Sequence, residues 1–427
     1  MLTSQDPRLA GRVAFTHPNF VAYTLARFLI VVALEMQSVA VGWQVYAITK
    51  RPLDLGYVGL AQFAPGFFLF LFAGHAADLL DRRKLLTCCY AGYGLCSALL
   101  LVISWRAPQS VHLIYLVLVL VGVSRSFSFP VSRALLPQLV PEEHFLNAVA
   151  WNSSTFQIAT IAGPAIGGIA YALFRGPDAV YAIAVAVSIL STVLTLRIQP
   201  LPNSPERELA ARASRKEPMS LRTVLAGFHF IWKKKLILGS ISLDMFAVLL
   251  GGAVALLPIY AREILHTGPW GLGLLRSAPG VGAALMAIAV AHYPIRRRAG
   301  LTMLLTVAAF GVMTIVFGLS HSLILSLIAL FLTGAADMVS VIIRGTLGQV
   351  ATPDEMRGRV NAVDMLFIGV SNELGEFESG LTAQWLGTVP AVVLGGVGTL
   401  LVIAMWAWLF PELRKADQLS VAELMPK

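Results

Sequence analysis

The chain has 427 residues, 57% of them hydrophobic and only 13% charged, with a mean hydropathy of +0.75. That leaves too little polar surface to coat a water-soluble globule of this size, so the chain belongs in a membrane. A net charge of +9 suggests nucleic acid at first sight, but the bases sit in short gaps between apolar runs, which argues for membrane topology and no nucleic-acid partner.

Residues 1–19 are polar and proline-bearing and lack the apolar core of a cleavable signal. Beyond them, apolar stretches of about 20 residues recur, each able to cross roughly 30 Å of hydrocarbon as a helix. Twelve spans are predicted, at 20–49, 55–78, 83–105, 111–132, 145–173, 178–198, 236–262, 269–293, 299–319, 322–348, 358–386 and 388–410. The runs are continuous rather than alternating, which argues against strands. The expected fold class is an all-α membrane protein with twelve transmembrane helices in two six-helix bundles.

Span one carries Arg27 and Glu35, with Gln37, Trp43 and Gln44 placed to line a pocket for an amphipathic ligand. Trp43 serves equally well as an interfacial anchor. The turn between spans two and three reads "GHAADLLDRRKLL", from Gly74 to Leu86. Gly74 is expected to let helices approach closely, Asp78 to accept hydrogen bonds at the start of the next helix, and Arg82, Arg83 and Lys84 to hold the cytoplasmic face. A topology anchor alone is the plainer reading, though it does not require the Gly-x3-Asp-x3-Arg-Arg spacing. Cys88, Cys89 and Cys96 have no partner histidines. They are read as small buried apolar residues, with no metal site or disulfide.

Span five contains "AGPAIGG", with Gly163, Pro164, Gly167 and Gly168. Its glycines permit close packing and its proline frees a carbonyl, giving a tight, bendable interface; simple helix packing explains it too. Residues 199–235 form the one long polar stretch, ending in the amphipathic "LRTVLAGFHFIWKKK", which is expected to lie along the membrane surface. The domain reading is a first bundle over 1–198, a cytoplasmic linker over 199–235 and a second bundle over 236–427.

Ionisable residues inside spans are costly and face a cavity or a partner. Besides Arg27 and Glu35 they are Arg125, Asp244, Arg276, Asp337, Asp364, Glu373, Glu376 and Glu378. Glu373 and Glu376 share a helix face, while Glu378 points elsewhere. Proton coupling is assigned to Glu35, Asp244, Glu373 and Glu376, because burial and neighbouring carboxylates favour proton loading. Arg27, Gln37, Trp43, Gln44 and Arg276 are the substrate-cavity candidates.

With the N-terminus inside, 24 of the bases fall on cytoplasmic segments against five outside, so both termini are expected in the cytoplasm. The halves also match at a separation of about 214 residues. Ala64-Pro65-Gly66 recurs as Ala278-Pro279-Gly280, Asn147-Ala148-Val149 as Asn361-Ala362-Val363, and Arg133 with Gln138 as Arg344 with Gln349. Such repeats suit two bundles related by an axis along the membrane normal, with a substrate path at the midplane.

The loop from Gly74 to Arg83 resembles the signature of the major facilitator superfamily, with Asp81 where that pattern usually has glycine. The resemblance covers essentially the whole chain and implies a gating role for the loop, Asp78 and Arg82 above all. In the second half, "AHYPIRRRAG" has His292 near the expected aspartate, so the latch is expected to be stronger in the first. The Gly163–Gly168 element is similar to the antiporter motif of exporters in that superfamily. The stretches "FPVSRALLPQLVPEEHFLNAVAW", "LDMFAVLLGGAVALLPIYA" and "SNELGEFESG" resemble the branch that includes the enterobactin exporter and macrolide efflux proteins.

The expected function is therefore proton-coupled export of drug-like or siderophore-like amphipathic molecules by alternating access. The expected setting is a monomer among the lipids of a bacterial inner membrane. Lipid or lysophospholipid translocation is the alternative within transport. A membrane enzyme is the alternative outside it, but no His-x-x-x-His cluster or glycine-rich nucleotide loop supports one. No cofactor is expected.

Overall fold

The computed structural model describes residues 11–106, 109–199, 221–295 and 297–415; the side chains at 70, 71, 78, 221–224 and 354 also lie outside the description. The described residues contain helices and turns and no strand. Long helices run in the order α1 (Pro18–Thr49), α2 (Pro52–Leu79), α3 (Arg82–Arg106), α4 (Val111–Leu135), α5 (Phe145–Leu173) and α6 (Asp178–Leu196). They are followed by α7 (Leu221–Lys233), α8 (Lys235–Gly251), α9 (Gly268–His292), α10 (Ala299–Leu319), α11 (Leu323–Val350), α12 (Asp354–Leu386) and α13 (Thr388–Leu409). Eleven of the twelve predicted spans match one of these helices closely, and the seventh begins on α8 and runs past its end.

Ten membrane-crossing helices are identified among the described residues by length and apolarity. The other two, α2 and α12, have 28 and 33 residues and are also of spanning length. What lowers the apolarity of α12 is its set of carboxylates, including Asp364, Glu373, Glu376 and Glu378. Pro65, Pro130, Pro164 and Pro279 lie inside helices, each removing one backbone donor from the ladder.

The described chain divides into two compact units. The first comprises the described parts of Met1–Val41 and Ala61–Met219, the second those of Gly42–Leu60 and Ser220–Lys427. In the first, α3 packs against both α4 and α6. Tyr23 of α1 donates to the Ser132 carbonyl at 2.9 Å, and the Tyr93 hydroxyl meets Ser128 Oγ at 2.7 Å. Of the three cysteines, Cys89 and Cys96 are buried as expected, whereas Cys88, about 100° around α3 from Cys89, is exposed.

In the second unit a core of Leu243, Met303, Val307, Val339, Ile343, Val402 and Trp406 joins α8, α10, α11 and α13. Span seven is broken. The α-helix stops at Gly251, and the chain continues as a 3-10 turn over Ala253–Leu256, a helical turn over Leu257–Ile259 and a π turn over Tyr260–Ile264. The Gly252 carbonyl, released by the break, accepts a hydrogen bond from Ser379 Oγ at 2.9 Å. A break at membrane depth is tolerated when the freed groups find such partners.

The linker stretch expected to lie along the membrane surface is helical as α7, and one of its apolar faces is occupied by protein. Ile231 clusters with Ile237, Ile241, Val360 and Val363, and Phe228 stacks on Phe367 at 6.2 Å. Leu225, Phe228 and Trp232 still leave apolar surface exposed, which is compatible with an interfacial position.

Candidate functional site

The gating loop is built by helix-end chemistry. Asp81 precedes the first turn of α3, and its Oδ1 accepts from the Lys84 amide at 3.1 Å, as an N-cap does. This is a cap of the kind expected of Asp78. Asp78 itself lies in the last turns of α2, and its side chain is outside the described residues. Arg82 donates to the Ala77 carbonyl at 3.3 Å and the Ala134 carbonyl at 3.0 Å, serving the carbonyl-rich ends of α2 and α4 together. Arg83 reaches the Ile198 carbonyl at 2.9 Å, just beyond α6. A Cβ at Gly74 would meet nothing within 4 Å. Among the described residues, Gly74 is therefore not the point of close helix approach that its position suggested.

Close approach occurs instead in the Gly163–Gly168 element. A Cβ at Gly163 would stand 2.5 Å from Glu35 Cβ, and one at Gly167 would stand 2.6 Å from Met36 Cα. The glycines of α5 thus seat it directly on α1 at Glu35 and Met36, with Gly163, Pro164, Gly167 and Gly168 all buried. Gln37, one residue on, is buried and accepts from Ser97 Oγ of α3 at 2.7 Å.

Nearer the start of α1, Arg27 is half-buried. It donates through Nη1 to the Asn152 carbonyl at 3.0 Å and to Asn152 Oδ1 at 2.9 Å, and its guanidinium lies 4.8 Å from the Phe156 ring centre. On α4, Arg125, Phe129 and Arg133 follow at helical spacing, all exposed, and the Arg133 guanidinium stands 4.4 Å from the Phe129 ring centre. These are cation–π distances.

In the second unit the candidates gather at two places. Arg344 of α11 is buried, 5% exposed, and its Nη1 meets Asp244 of α8 at 2.8 Å and Asp364 of α12 at 3.2 Å. Asp337, two helical turns before Arg344, lies within electrostatic reach of both Asp244 and Arg344. One guanidinium thus serves two carboxylates directly.

The second place is Gly59 of α2. A Cβ there would lie 2.6 Å from Glu376 Oε2 and 3.4 Å from Glu373 Oε2, so both carboxylates converge on one backbone position. Glu378 turns aside and accepts from Thr382 at 2.6 Å. Close by in sequence, Trp43 receives the Arg262 guanidinium 5.5 Å from its ring centre, and the Tyr46 hydroxyl donates to Glu263 at 2.6 Å. Gln44 is buried. Arg276 is half-buried with no hydrogen bond or ion pair among the described residues.

Arg344, singled out in the sequence only for its place in the repeat, is buried. Its seven-residue spacing from Asp337, which places both on one helix face, was the available signal. Asn152 and Phe156 carried no signal of their own, since their role depends on α5 packing beside α1. No group of three or more His, Cys, Asp or Glu able to hold a metal occurs among the described residues.

Polar and charged clusters of this kind, inside helices long enough to span a bilayer, define a multi-pass membrane protein with ionisable groups at depth. The chain belongs to the Major Facilitator Superfamily, whose family model matches residues 20–376. Among curated proteins it is 28% identical over 408 residues to the enterobactin exporter EntS of Citrobacter koseri, covering 94% of each chain. The EntS proteins of Shigella boydii and Escherichia coli are equally similar. Among solved structures, a bacterial homologue of the human lysosomal transporter Spinster, inward-facing and occupied, matches with a TM-score of 0.72 at 13% identity. It covers 92% of this chain and 96% of its own. A D-xylose–proton symporter matches with a TM-score of 0.68 at 13% identity, over 93% and 98%. The last two establish the fold.

Proposed function

We propose that this protein is a secondary active exporter of siderophore-like amphipathic molecules, working by alternating access in a bacterial inner membrane. The observation that carries the reading is the likeness to enterobactin exporters along 94% of both chains. Both termini and the linker over 199–235 lie on the cytoplasmic side in this reading, supported by the distribution of bases. A reporter that fluoresces only in the cytoplasm, fused to Lys427, should be bright.

Export is coupled to protons through carboxylates held at depth. The convergence of Glu373 and Glu376 on Gly59, and of Asp244 and Asp364 on Arg344, supports this assignment, because such a group exchanges a proton when its surroundings change. Glu35, held against Gly163, is the candidate in the first unit.

The test is efflux of a catecholate siderophore from proteoliposomes under an imposed pH gradient. Transport should follow the gradient in the wild type. Among Glu35→Gln, Asp244→Asn, Glu373→Gln and Glu376→Gln, at least one should abolish that response while sparing substrate binding. A wild-type response in all four would end the proton-coupling assignment.

A further inference from the structure

Three consecutive lysines, Lys233, Lys234 and Lys235, stand where the amphipathic α7 gives way to α8, and all three are exposed. The chain returns to this place at the end of α13. A Cβ at Gly239 of α8 would stand 2.9 Å from Phe410 Cγ, so the start of α8 and the end of α13 are in close contact. Beyond Phe410, a short helix α14 (Pro411–Lys415) is held by Leu413, which is buried in the core joining α8, α10, α11 and α13. Between these segments a groove of about 300 Å³ is lined by Lys235 and residues 408–412.

Depth and charge specify what fits the groove. The 22 residues of α13 extend about 33 Å at 1.5 Å per residue, the thickness of the hydrocarbon core, so its last turn lies at the boundary with water. Trp408 of that turn is 80% exposed, as an interfacial tryptophan is. On the water side, the segments bordering the groove carry Lys233, Lys234, Lys235, Arg414 and Lys415 against one acid, Glu412. None of these bases joins an ion pair among the described residues. On the hydrocarbon side, Leu394, Val397, Leu401, Met405 and Trp408 are exposed at helical spacing and make one apolar stripe along α13 that ends at the groove. A soluble anion would use the bases and leave the stripe. A neutral lipid would use the stripe and leave the bases.

We infer that this groove binds an anionic phospholipid of the leaflet it faces. Lys235 meets the phosphate, Trp408 packs beside the glycerol region and an acyl chain follows the stripe on α13. Glu412, also in the lining, opposes the negative headgroup and limits the affinity. The inference goes beyond the exporter reading and takes from it only the side of the membrane, the cytoplasmic leaflet.

The test uses the purified full chain in phosphatidylcholine nanodiscs, with brominated phosphatidylglycerol or brominated phosphatidylcholine added in increasing mole fraction. Bromine on an acyl chain quenches tryptophan at contact, and the part of the quenching lost in Trp408→Phe reports the groove. Phosphatidylglycerol should half-quench Trp408 at a mole fraction at least about fivefold below that of phosphatidylcholine, the worth of one basic side chain at an anionic membrane. Lys235→Gln should close most of that gap, and Glu412→Gln should widen it.

Trp385, exposed at the end of α12, is the internal control, because no lysine or arginine lies between Arg359 and Arg414 in the sequence to attract a headgroup there. A gap of the same size at Trp385 would make the effect a general attraction of lipid charge and overturn the site. Equal mole fractions at Trp408, or a gap unchanged by Lys235→Gln, would overturn it too. Loss of the gap in excess free glycerol phosphate would assign the bases to a soluble anion and remove the lipid. The readout involves no cargo, so the gap can persist where siderophore efflux fails, and vanish where efflux is intact.

Discussion

Arg344 and Asp244 meet at 2.8 Å between α11 and α8, with the two side chains 5% and 7% exposed, and Asp364 reaches the same guanidinium nitrogen. Removing the one cation leaves Asp244 and Asp364 without their shared counter-charge. Arg344→Met is therefore expected to destabilise the fold by about 3–5 kcal/mol, the range for breaking a buried pair. Asp364→Asn should do less, since that carboxylate is 25% exposed. Unfolding titrations in mixed micelles give both values, and an Arg344→Met protein as stable as the wild type would contradict the assignment.

The glycines of the tight element should rank by what each added methyl would strike. At Gly167 it meets the Met36 backbone, at Gly163 the Glu35 side chain, and at Gly74 nothing within 4 Å. Gly167→Ala is expected to lose about 1–3 kcal/mol through overpacking. Gly163→Ala should lose a similar amount, because it strikes Glu35 Cβ, which side-chain rotation does not move, with the Val32 carbonyl 3.1 Å away. Gly74→Ala should be neutral or stabilising, as alanine favours helix. Thermal midpoints of the three purified variants check the order.

At the loop, Asp81→Ala removes the α3 cap and should cost about 1 kcal/mol or less at this exposed site. Arg82→Gln removes a donor shared by the ends of α2 and α4 and should cost more. Asp78→Asn tests the latch separately. Insertion should be preserved while the ratio of inward-open to outward-open protein shifts, by about tenfold if 1.4 kcal/mol is lost. Cysteine accessibility labelling on the two sides reads that ratio, and unchanged labelling with unchanged transport would reduce Asp78 to a topology marker.

Just ahead of α1, His17 Nε2 lies 2.9 Å from His144 Nδ1. Burial and the neighbouring His144 hold the His17 imidazole below its usual 6.5, against an opposing pull from Glu143. The unfolded chain thus takes up this proton more readily than the folded one. The stabilising contribution is present above about pH 6.5 and is lost as the pH falls through the lower folded value. His17→Asn should flatten the pH dependence of the thermal midpoint between roughly pH 7 and 5. An identical profile in the variant would show that His17 does not titrate this way.

The twelve spans were legible because hydrocarbon thickness imposes a length that apolar runs report directly. Span one, predicted at 20–49, is Pro18–Thr49, and span nine, predicted at 299–319, is Ala299–Leu319. The pairing of Glu373 with Glu376 was legible from helical spacing alone. What was not legible depended on contacts between helices. Nothing local says that Arg344 faces Asp244 a hundred residues earlier, or that Arg27 reaches Asn152. The break in span seven had a visible mark in Gly251-Gly252, but glycine pairs also occur in unbroken helices, as Gly167-Gly168 does here. At Gly252 the freed carbonyl has the Ser379 hydroxyl as its partner.

That bond also bears on the order of events during synthesis. Ser379 follows Gly252 by 127 residues, which at bacterial elongation rates is on the order of ten seconds of translation. Through that interval the segment around Gly252 sits in or beside the bilayer without the hydroxyl that satisfies its bend. An unserved carbonyl in hydrocarbon is expensive, so the nascent segment is expected to insert as continuous helix and to bend only once α12 arrives. Ribosome-stalled chains ending before and after Ser379 should therefore differ in crosslinking between the two sides of Gly252, and identical patterns would show that the bend forms on its own.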